Sequence, residues 1–432
     1  MSQEISESGT EFKVGKFQAY FTLVVCCLLF LINFMDRQLF SVVLEPMKKD
    51  LGLTDWQVGL IQTVFLICIA LFSYPVARLV DRWSRRKSIA IMAILWSAFT
   101  YVTGLGYNFI SLLLPRIGVA LGESAFSTGG SALLSATFSP KSRGKILGIF
   151  NMMMALGVMM GVVVGGYLSA NCGGWRVPFF IFAIPGIIFG IVAFFIKDYK
   201  TVEKKNTADG RGFFKDIARL MKIPTLKYMF IGYGLQNFAI YTMMAWGPAV
   251  LMRAMHIGED KAGMIAGLVV LVSLLSLPVG GILADTWYRK NIKARLLLPM
   301  IGSLISPLMV IIAMMALYFN MFAVAIIFCA LSGISGLGTG AVNAASQDVV
   351  APGMRGMSWG LAIFFMYLIG GWSPVMIGIL SDMMGGGATG LEFAMMIGAA
   401  ISTPAALCNW IASRHYASDF DKVKDYIIAA EK

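Results

Sequence analysis

The chain has 432 residues, of which 58% are hydrophobic and only 13% are charged, and its mean hydropathy is +0.76. Soluble domains carry about 25% charged residues, so this composition excludes an ordinary soluble protein and indicates one that spans a membrane. The formal net charge of +12 is spread over short loops. That distribution is what membrane topology requires, so the charge does not indicate nucleic-acid binding.

Twelve apolar runs are long enough to cross a bilayer, since a spanning helix needs roughly 20 residues. Six precede a polar stretch, near 17–45, 55–80, 88–107, 109–138, 146–170 and 175–196. Six follow it, near 226–252, 262–284, 296–318, 321–347, 357–381 and 391–412. The sequence therefore predicts an all-α membrane protein with twelve transmembrane helices.

The polar stretch divides the chain into two halves. Its second part places Phe213, Ile217 and Leu220 on one helical face and Lys215 and Arg219 on the other, which predicts an amphipathic helix on the membrane surface. The predicted organisation is a cytoplasmic N-terminal tail, a six-helix bundle, a cytoplasmic linker with this helix, a second six-helix bundle and a cytoplasmic C-terminal tail, at 1–16, 17–196, 197–225, 226–413 and 414–432.

A ten-residue pattern occurs twice, about two hundred positions apart, each time after a long apolar run. Residues 77–86 read ARLVDRWSRR and residues 281–290 read GILADTWYRK. A repeat at half the chain length indicates two duplicated, pseudo-symmetric bundles. Bundles of this kind rock against each other, so the pattern favours a transporter.

The distribution of lysine and arginine predicts the orientation. With the termini inside, 27 of these residues fall in inner segments and 5 in outer loops, which places both termini in the cytoplasm. No cleavable signal is visible, so the first run is expected to remain as a span. We expect a multi-pass protein of the bacterial inner (plasma) membrane, in contact with membrane lipids and sufficient as a monomer.

Groups typical of enzymes are sparse. The two histidines, His256 and His415, fall at span ends, and the six cysteines are scattered without metal-ligand spacing. The sequence therefore predicts neither an enzyme nor a cofactor nor a metal site.

The chain resembles the major facilitator superfamily along its whole length. Residues 281–290 fit the superfamily's Gly-x-Leu-x-Asp-x-x-x-Arg-Lys loop signature. Residues 33–37 (Asn-Phe-Met-Asp-Arg), a following loop at 44–46 (Leu-Glu-Pro) and residues 121–124 (Leu-Gly-Glu-Ser) resemble the Spinster-like branch. The Asn-x-x-Asp-Arg pattern is also similar to the organic anion:cation symporters. The resemblance implies that spans 1, 4, 7 and 10 line a central cavity.

Four ionisable residues fall inside the predicted spans, Asp36 and Arg37 in span 1 and Arg116 and Glu123 in span 4. Each costs roughly 2.5–3.5 kcal/mol at membrane depth, so they must pair or face water. Arg116 and Glu123 are two helical turns apart and share one face. We predict that Asp36 and Glu123 exchange protons and that Arg37 and Arg116 hold the anionic part of a substrate, with Glu123 controlling Arg116. A structural ion-pair network is the alternative.

The second half supplies uncharged polar groups. The predicted substrate contacts there are Tyr233, Gln236, Asn237 and Tyr241 in span 7, and Asn343 and Gln347 in span 10. Residues of this kind also hold helices together, which is the alternative. The 29 methionines could form a pliable wall for a lipid-like substrate or could be ordinary apolar filler.

The repeated loops predict a cytoplasmic gate, because carboxylates beside arginine-rich loops can pair with the other half when that side is shut. Positive-inside charge with helix capping is the alternative. The glycines of span 5 predict close packing between the halves. The predicted gating residues are Asp81, Arg82, Arg85, Arg86, Arg143, Asp285, Arg289, Lys290 and Arg355.

Taken together, these features predict a secondary active transporter that works by alternating access and is coupled to protons. Two substrate classes remain open: a lysolipid or another amphipathic anion, and a small organic acid such as a sugar acid or an aromatic acid. A drug/proton antiporter of the same fold is a further alternative.

Overall fold

The computed structural model describes residues 15–198, 213–274 and 276–423, and the regular structure in these ranges is helical. The side chains at 81, 82, 140, 141, 213–216 and 274 lie outside this description. The first part of the predicted linker and most of both predicted tails also lie outside the described residues.

The N-terminal half contains seven helices that make six passages. The fourth passage is divided between α4 and α5. The helices are α1 (Lys16–Leu51), α2 (Asp55–Arg82), α3 (Arg85–Gly104), α4 (Phe109–Glu123), α5 (Phe126–Thr137), α6 (Pro140–Asn171) and α7 (Val177–Ala193).

The C-terminal half follows a short helix, α8 (Phe213–Met221), and also makes six passages in the described ranges. Four of these passages are divided. The helices are α9 (Pro224–Met255), α10 (Glu259–Leu274), α11 (Ser276–Tyr288), α12 (Ala294–Tyr318), α13 (Phe322–Ser332), α14 (Thr339–Asp348), α15 (Arg355–Gly370), α16 (Ser373–Met383), α17 (Gly387–Ser402) and α18 (Pro404–Asp421).

Within the described residues, ten helical segments combine the length and the apolar composition that a membrane crossing requires. The remaining two passages are α7, which is apolar but shorter, and α9, whose 32 residues extend about 48 Å at 1.5 Å per residue. These helices confirm the predicted all-α membrane fold with twelve passages in two bundles.

Several helices extend beyond the predicted spans. α1 has 36 residues, about 54 Å, and contains Glu45 and Pro46, so the loop predicted at 44–46 is wrong. α9 begins at Pro224, two residues before the predicted bundle, because proline suits the first helical turn. α18 continues to Asp421, past the predicted boundary at 413. Hydropathy marks the apolar section of a helix, whereas the polar ends remain helical in water.

The short helix α8 lies within the predicted linker. Its Leu220 is buried in a cluster with Leu226 and Phe230 of α9, and Ile217 packs against the same cluster. Arg219 is exposed on the other side. The apolar face of α8 therefore packs at least partly on the C-terminal half.

We call the end of the molecule that carries Lys16 and Asp421 the termini end, and the opposite end the far end. Towards the far end the halves meet along two pairs of helices, α2 with α16 and α6 with α10. Glycines allow these backbones to approach: Gly59 faces the carbonyl of Pro374, and Gly378 faces the carbonyl of Asp55. Both contacts leave no room for a side chain.

The glycines of α6 divide between two roles. Gly157, Gly161 and Gly165 pack against α1 of the same half, and Gly166 packs against the carbonyl of Glu259 in the other half. The prediction that the glycines of span 5 pack between the halves therefore holds for Gly166 but not for the other three glycines. Pattern alone marks a close contact without naming the partner helix.

The close approach of α2 and α16 is testable with Gly59→Ala. A methyl group there would overlap the Pro374 carbonyl, so we expect overpacking to reduce stability by about 1–3 kcal/mol in thermal unfolding in detergent. Gly148→Ala is the matched control, since open space surrounds Gly148 and alanine favours a helix by about 1 kcal/mol. Equal unfolding temperatures for the two variants would contradict the packing described here.

Candidate substrate and proton site

Arg37 lies near the middle of α1 and joins the two halves of the molecule. Its Nε donates to Oε2 of Glu123 at 2.6 Å, and its Nη1 donates to the hydroxyl of Tyr367 at 3.1 Å. Glu123 is the last residue of α4, where that passage breaks, and Tyr367 belongs to α15 of the other half. A single guanidinium therefore bridges a carboxylate of one half and a phenol of the other.

Aromatic side chains complete this site. The ring of Tyr241 on α9 stacks on Tyr367 with centroids 5.7 Å apart, and the Arg37 guanidinium lies 4.7 Å from the centroid of Phe34. The Glu123 side chain is fully buried, whereas that of Arg37 is 14% exposed. Access to the carboxylate therefore passes the guanidinium. We call Arg37, Glu123, Tyr241 and Tyr367 the Arg37 site.

Asp36, the neighbour of Arg37, points in a different direction. It is 1% exposed, and its Oδ2 accepts a hydrogen bond of 3.2 Å from Thr100 on α3. Within the described residues its Oδ1 accepts none. Adjacent helical residues point about 100° apart, which explains why Asp36 contacts α3 whereas Arg37 contacts α4.

Arg116 does not hydrogen-bond to Glu123, so the prediction that Glu123 holds it is wrong for this conformation. Its guanidinium lies 4.2 Å from the centroid of Phe40, with Phe65 and Phe179 at 5.6 and 5.9 Å. Within the described residues, its Nε and Nη2 have no hydrogen-bond partner. Spacing placed the two side chains on one face correctly, but a long arginine can reach an aromatic pocket that spacing does not reveal.

Of the uncharged residues predicted to contact substrate, Tyr241 reaches the Arg37 site. Gln236 donates to the carbonyl of Ser335 at 2.7 Å, and Asn237 donates to that of Tyr233 at 2.8 Å. On α14, Gln347 donates to Asn343 at 2.7 Å. In this conformation these groups hold helices and neighbouring side chains in place. This is the structural role that was the alternative to substrate contact.

A cavity of about 290 Å³ lies beside the Arg37 site. Phe34 and Gln38 of α1 form one side, and α6, α9 and the helices of spans 8, 9 and 10 form the others. Met154, Met243 and Met244 line it, so part of the predicted methionine wall faces a cavity.

Charged residues at the far end form a network between the halves that sequence reasoning did not assign. Arg253 at the end of α9 donates to Oε1 of Glu45 at 2.6 Å and to both carboxylate oxygens of Asp55 at 2.8 and 2.7 Å. Lys48 also pairs with Asp55. The side chain of Asp55 is fully buried, which makes this a desolvated lock rather than a surface ion pair.

The same lock includes α16. Ser381 donates to Oδ2 of Asp55 at 2.7 Å, and Asp382 accepts the backbone N–H groups of Asp55 and Trp56 at 3.1 and 2.8 Å. These two N–H groups begin α2, where a carboxylate is favoured. We call Glu45, Lys48, Asp55, Arg253, Ser381 and Asp382 the far-end lock. The available signal was the small set of charges at the far ends of spans 1, 2 and 7.

At the termini end, the charged residues of the second repeated loop are exposed, whereas Arg85 and Arg86 of the first loop are partly buried. Ser84 donates to Asp198, and Arg86 donates to the carbonyl of Ile196 at 3.4 Å, both within the N-terminal half. The side chains of Asp81 and Arg82 lie outside the described residues, and the structure does not test the gating role. The exposed members of the predicted gate are Arg143, Asp285, Arg289, Lys290 and Arg355.

Two comparisons with known proteins cover most of the chain. It is 28% identical to an MFS-type efflux pump of Mycolicibacterium smegmatis over 94% of this chain and 95% of the relative. It is 26% identical to Protein spinster homolog 1 of Xenopus tropicalis over 85% of this chain and 75% of that protein.

The fold matches a crystal structure of a bacterial homolog of the human lysosomal transporter Spinster, in an inward-facing and unoccupied conformation, with a TM-score of 0.83. That chain is 24% identical, and the match covers 94% of this chain and 99% of the other. The family model of the Major Facilitator Superfamily matches residues 26–374. The chain therefore belongs to the Major Facilitator Superfamily of secondary transporters.

Proposed function

We propose that this transporter carries an amphipathic anion, of the lysolipid class, coupled to protons through the Arg37 site. The observation that supports it most strongly is the partly buried Arg37, whose guanidinium donates to Glu123 and to Tyr367 of the opposite half. The planar, paired N–H donors of a guanidinium suit carboxylate and phosphate. Because the contact with Tyr367 joins the two halves, it would break and re-form when the halves rock.

Charge balance suggests how a proton would be coupled to the anion. The Arg37–Glu123 pair is neutral, so an anion that enters this buried site adds an uncompensated negative charge. A proton taken up by Glu123 restores neutrality and frees Arg37 to bind the anion. Leaving a buried charge unpaired costs about 3–5 kcal/mol, so occupancy by anion and proton together is strongly favoured over anion alone. Asp36 is a second carboxylate from which the proton could come.

Alternating access is supported by the contrast between the two ends. The far-end lock joins the halves through buried charge, whereas five of the predicted gating residues at the termini end are exposed, namely Arg143, Asp285, Arg289, Lys290 and Arg355. If the lysine and arginine distribution sets the orientation as expected, the conformation is open towards the cytoplasm. Closure there would bring the repeated loops together and release the far-end lock.

Two other substrate classes have some support. The Asn-x-x-Asp-Arg pattern resembles symporters of organic anions, and the relative from Mycolicibacterium smegmatis is an efflux pump. The apolar cavity beside Arg37 favours the amphipathic class, because a small sugar acid would leave its methionine and valine walls without a partner.

The proton role is tested by Glu123→Gln, which is neutral at every pH and similar in shape. We expect the variant to exchange lysophosphatidate between the two sides but to lose accumulation driven by an imposed pH gradient in proteoliposomes. Glu392→Gln is the matched control, because Glu392 is also buried but lies on α17, away from the site. An undiminished response to the pH gradient in Glu123→Gln would contradict the coupling role. Uptake of glucuronate instead of lysophosphatidate would favour the small organic acids.

The far-end lock is tested by Arg253→Gln. This change leaves buried Asp55 and Glu45 without their guanidinium, which costs about 3–5 kcal/mol and shifts the population towards far-end opening by about two to four orders of magnitude. The reporter is Thr63→Cys in a Cys172→Ser background, because Thr63 is buried where α2 meets α16. We expect faster labelling by a membrane-impermeant maleimide applied from the far side.

Arg176→Gln provides the matched control for that experiment. Arg176 also pairs with an aspartate at the far end, but its partner Asp50 belongs to the same half and is 47% exposed. Labelling at 63 should therefore match the parent protein. Equal labelling rates in Arg253→Gln and Arg176→Gln would show that the lock does not hold the halves together.

A further inference from the structure

The cavity beside the Arg37 site has a chemical character of its own. None of its described lining residues is an aspartate, glutamate, lysine, arginine or histidine, and most of its surface is aliphatic. Its volume of about 290 Å³ is close to the lower end of the range of small-molecule sites, about 300–1,000 Å³. An anionic head group would be poorly stabilised there, whereas an uncharged chain would fit.

One wall of this cavity carries a group of hydroxyls. They come from the point where span 10 unwinds into a 3₁₀ segment, Gly333–Gly338, and from the helices beside it. Gly333 packs against the side chain of Ser273 and Gly336 against that of Ser276, so the missing side chains let the two passages touch. We call this group the hydroxyl wall; it consists of Ser273, Ser276, Ser306, Ser332, Ser335 and Thr339.

The protons of these serines are already used. Ser273 donates to the carbonyl of Val269 at 2.8 Å, Ser276 to that of Ser273 at 2.6 Å, and Ser306 to that of Ser332 at 2.7 Å. Ser332 and Ser335 also donate to backbone carbonyls, at 2.6 and 3.4 Å. A hydroxyl that donates its proton keeps two lone pairs, so the wall offers acceptors.

Next to the hydroxyl wall, the side-chain oxygen of Gln236 is also an acceptor without a donor in the part of the chain that the structure describes. Gln236 is 3% exposed and donates to the carbonyl of Ser335 at 2.7 Å, while its Oε1 has no partner within the described residues. An unsatisfied buried acceptor costs about 1–3 kcal/mol. Gln236 itself does not line the cavity, but the acceptors in this region outnumber the donors, and an occupant of the cavity that brings a donor would pair with the hydroxyl wall.

The cavity adjoins the Arg37 site at one side chain. Phe34 lines the cavity, and the Arg37 guanidinium lies over the same ring, 4.7 Å from its centroid. A molecule with its anionic head on Arg37 would therefore pass Phe34 to place its chain in the cavity.

We propose that this cavity binds the uncharged chain of the transported anion and that its hydroxyl wall selects chains that carry a hydrogen-bond donor, a hydroxyl or an amide N–H. This inference rests on the proposed function and adds a second recognition element to it. Arg37 binds the anionic head, and the hydroxyl wall accepts a hydrogen bond from a neutral donor on the chain.

The test compares dodecyl phosphate with a series of dodecyl phosphates in which one hydroxyl is moved along the chain. We measure the Kd of each for the whole protein in nanodiscs. A net hydrogen bond stabilises by about 0.5–1.5 kcal/mol, so at least one isomer should bind about 2- to 10-fold tighter than dodecyl phosphate. Binding that weakens at every hydroxyl position would overturn the inference.

Three variants assign the preference to the wall. Ser273→Ala combined with Thr339→Val removes two of its more accessible hydroxyls and should abolish the preference while leaving the Kd of dodecyl phosphate within about twofold. Ser303→Ala is the matched control, because Ser303 also donates to a backbone carbonyl on α12 but does not line the cavity. Val270→Phe fills the cavity and should weaken dodecyl phosphate but not methyl phosphate.

The outcomes separate this inference from the proposed function. Binding that depends on Arg37 but keeps its chain and hydroxyl preferences in all the cavity variants would overturn the inference alone. If no phosphate binds, the proposed function fails. The cavity is then tested by itself, by measuring the Kd of two uncharged compounds, dodecanol and dodecanediol, for Arg37→Gln. Equal effects of Ser273→Ala/Thr339→Val on both alcohols would then overturn the inference as well.

Discussion

The buried pair between Arg37 and Glu123 is the constraint on which the rest of the site depends. A guanidinium at membrane depth is costly unless it is paired. Here the carboxylate of Glu123 neutralises its charge, and the hydroxyl of Tyr367 in the opposite half accepts a further hydrogen bond. Under the proposed function, protonation of Glu123 would free Arg37 to bind an anion. The contact of Arg37 with Tyr367 would then make the relative position of the halves sensitive to that exchange.

The far-end lock shows the same physics used for a different purpose. Asp55 is surrounded by Arg253, Lys48 and Ser381, and these partners come from both halves. Charges that are buried only while the halves touch return to water when they separate, so neither state is excessively stable. Small residues along α2 and α16 add close backbone contact without directional bonds. In the proposed alternating-access cycle, this combination would permit repeated opening, which an entirely apolar seam of the same area would resist.

In the proposed function, head and chain recognition would be divided between the halves. The charged groups of the Arg37 site come mainly from α1 and α4, whereas the cavity is built largely from α9 and the passages after it. Amphipathic substrates have this same division, with a solvated head and an apolar chain. Breaks in spans 4 and 10 place Glu123 and the hydroxyl wall at points where the helix is already interrupted, and there the backbone has carbonyls available for side chains.

Composition, span length and the repeated loop were sufficient to determine the membrane fold, the two halves and the candidate charges, because hydrophobic length and loop charge act locally along the chain. The sequence also placed Asp36, Arg37, Arg116 and Glu123 in spans 1 and 4. Only the tertiary structure decided that Glu123 pairs with Arg37, that Arg116 lies among phenylalanines, and that Arg253 reaches Asp55. Long side chains choose among partners from several helices, and that choice depends on packing distances that helical periodicity does not contain.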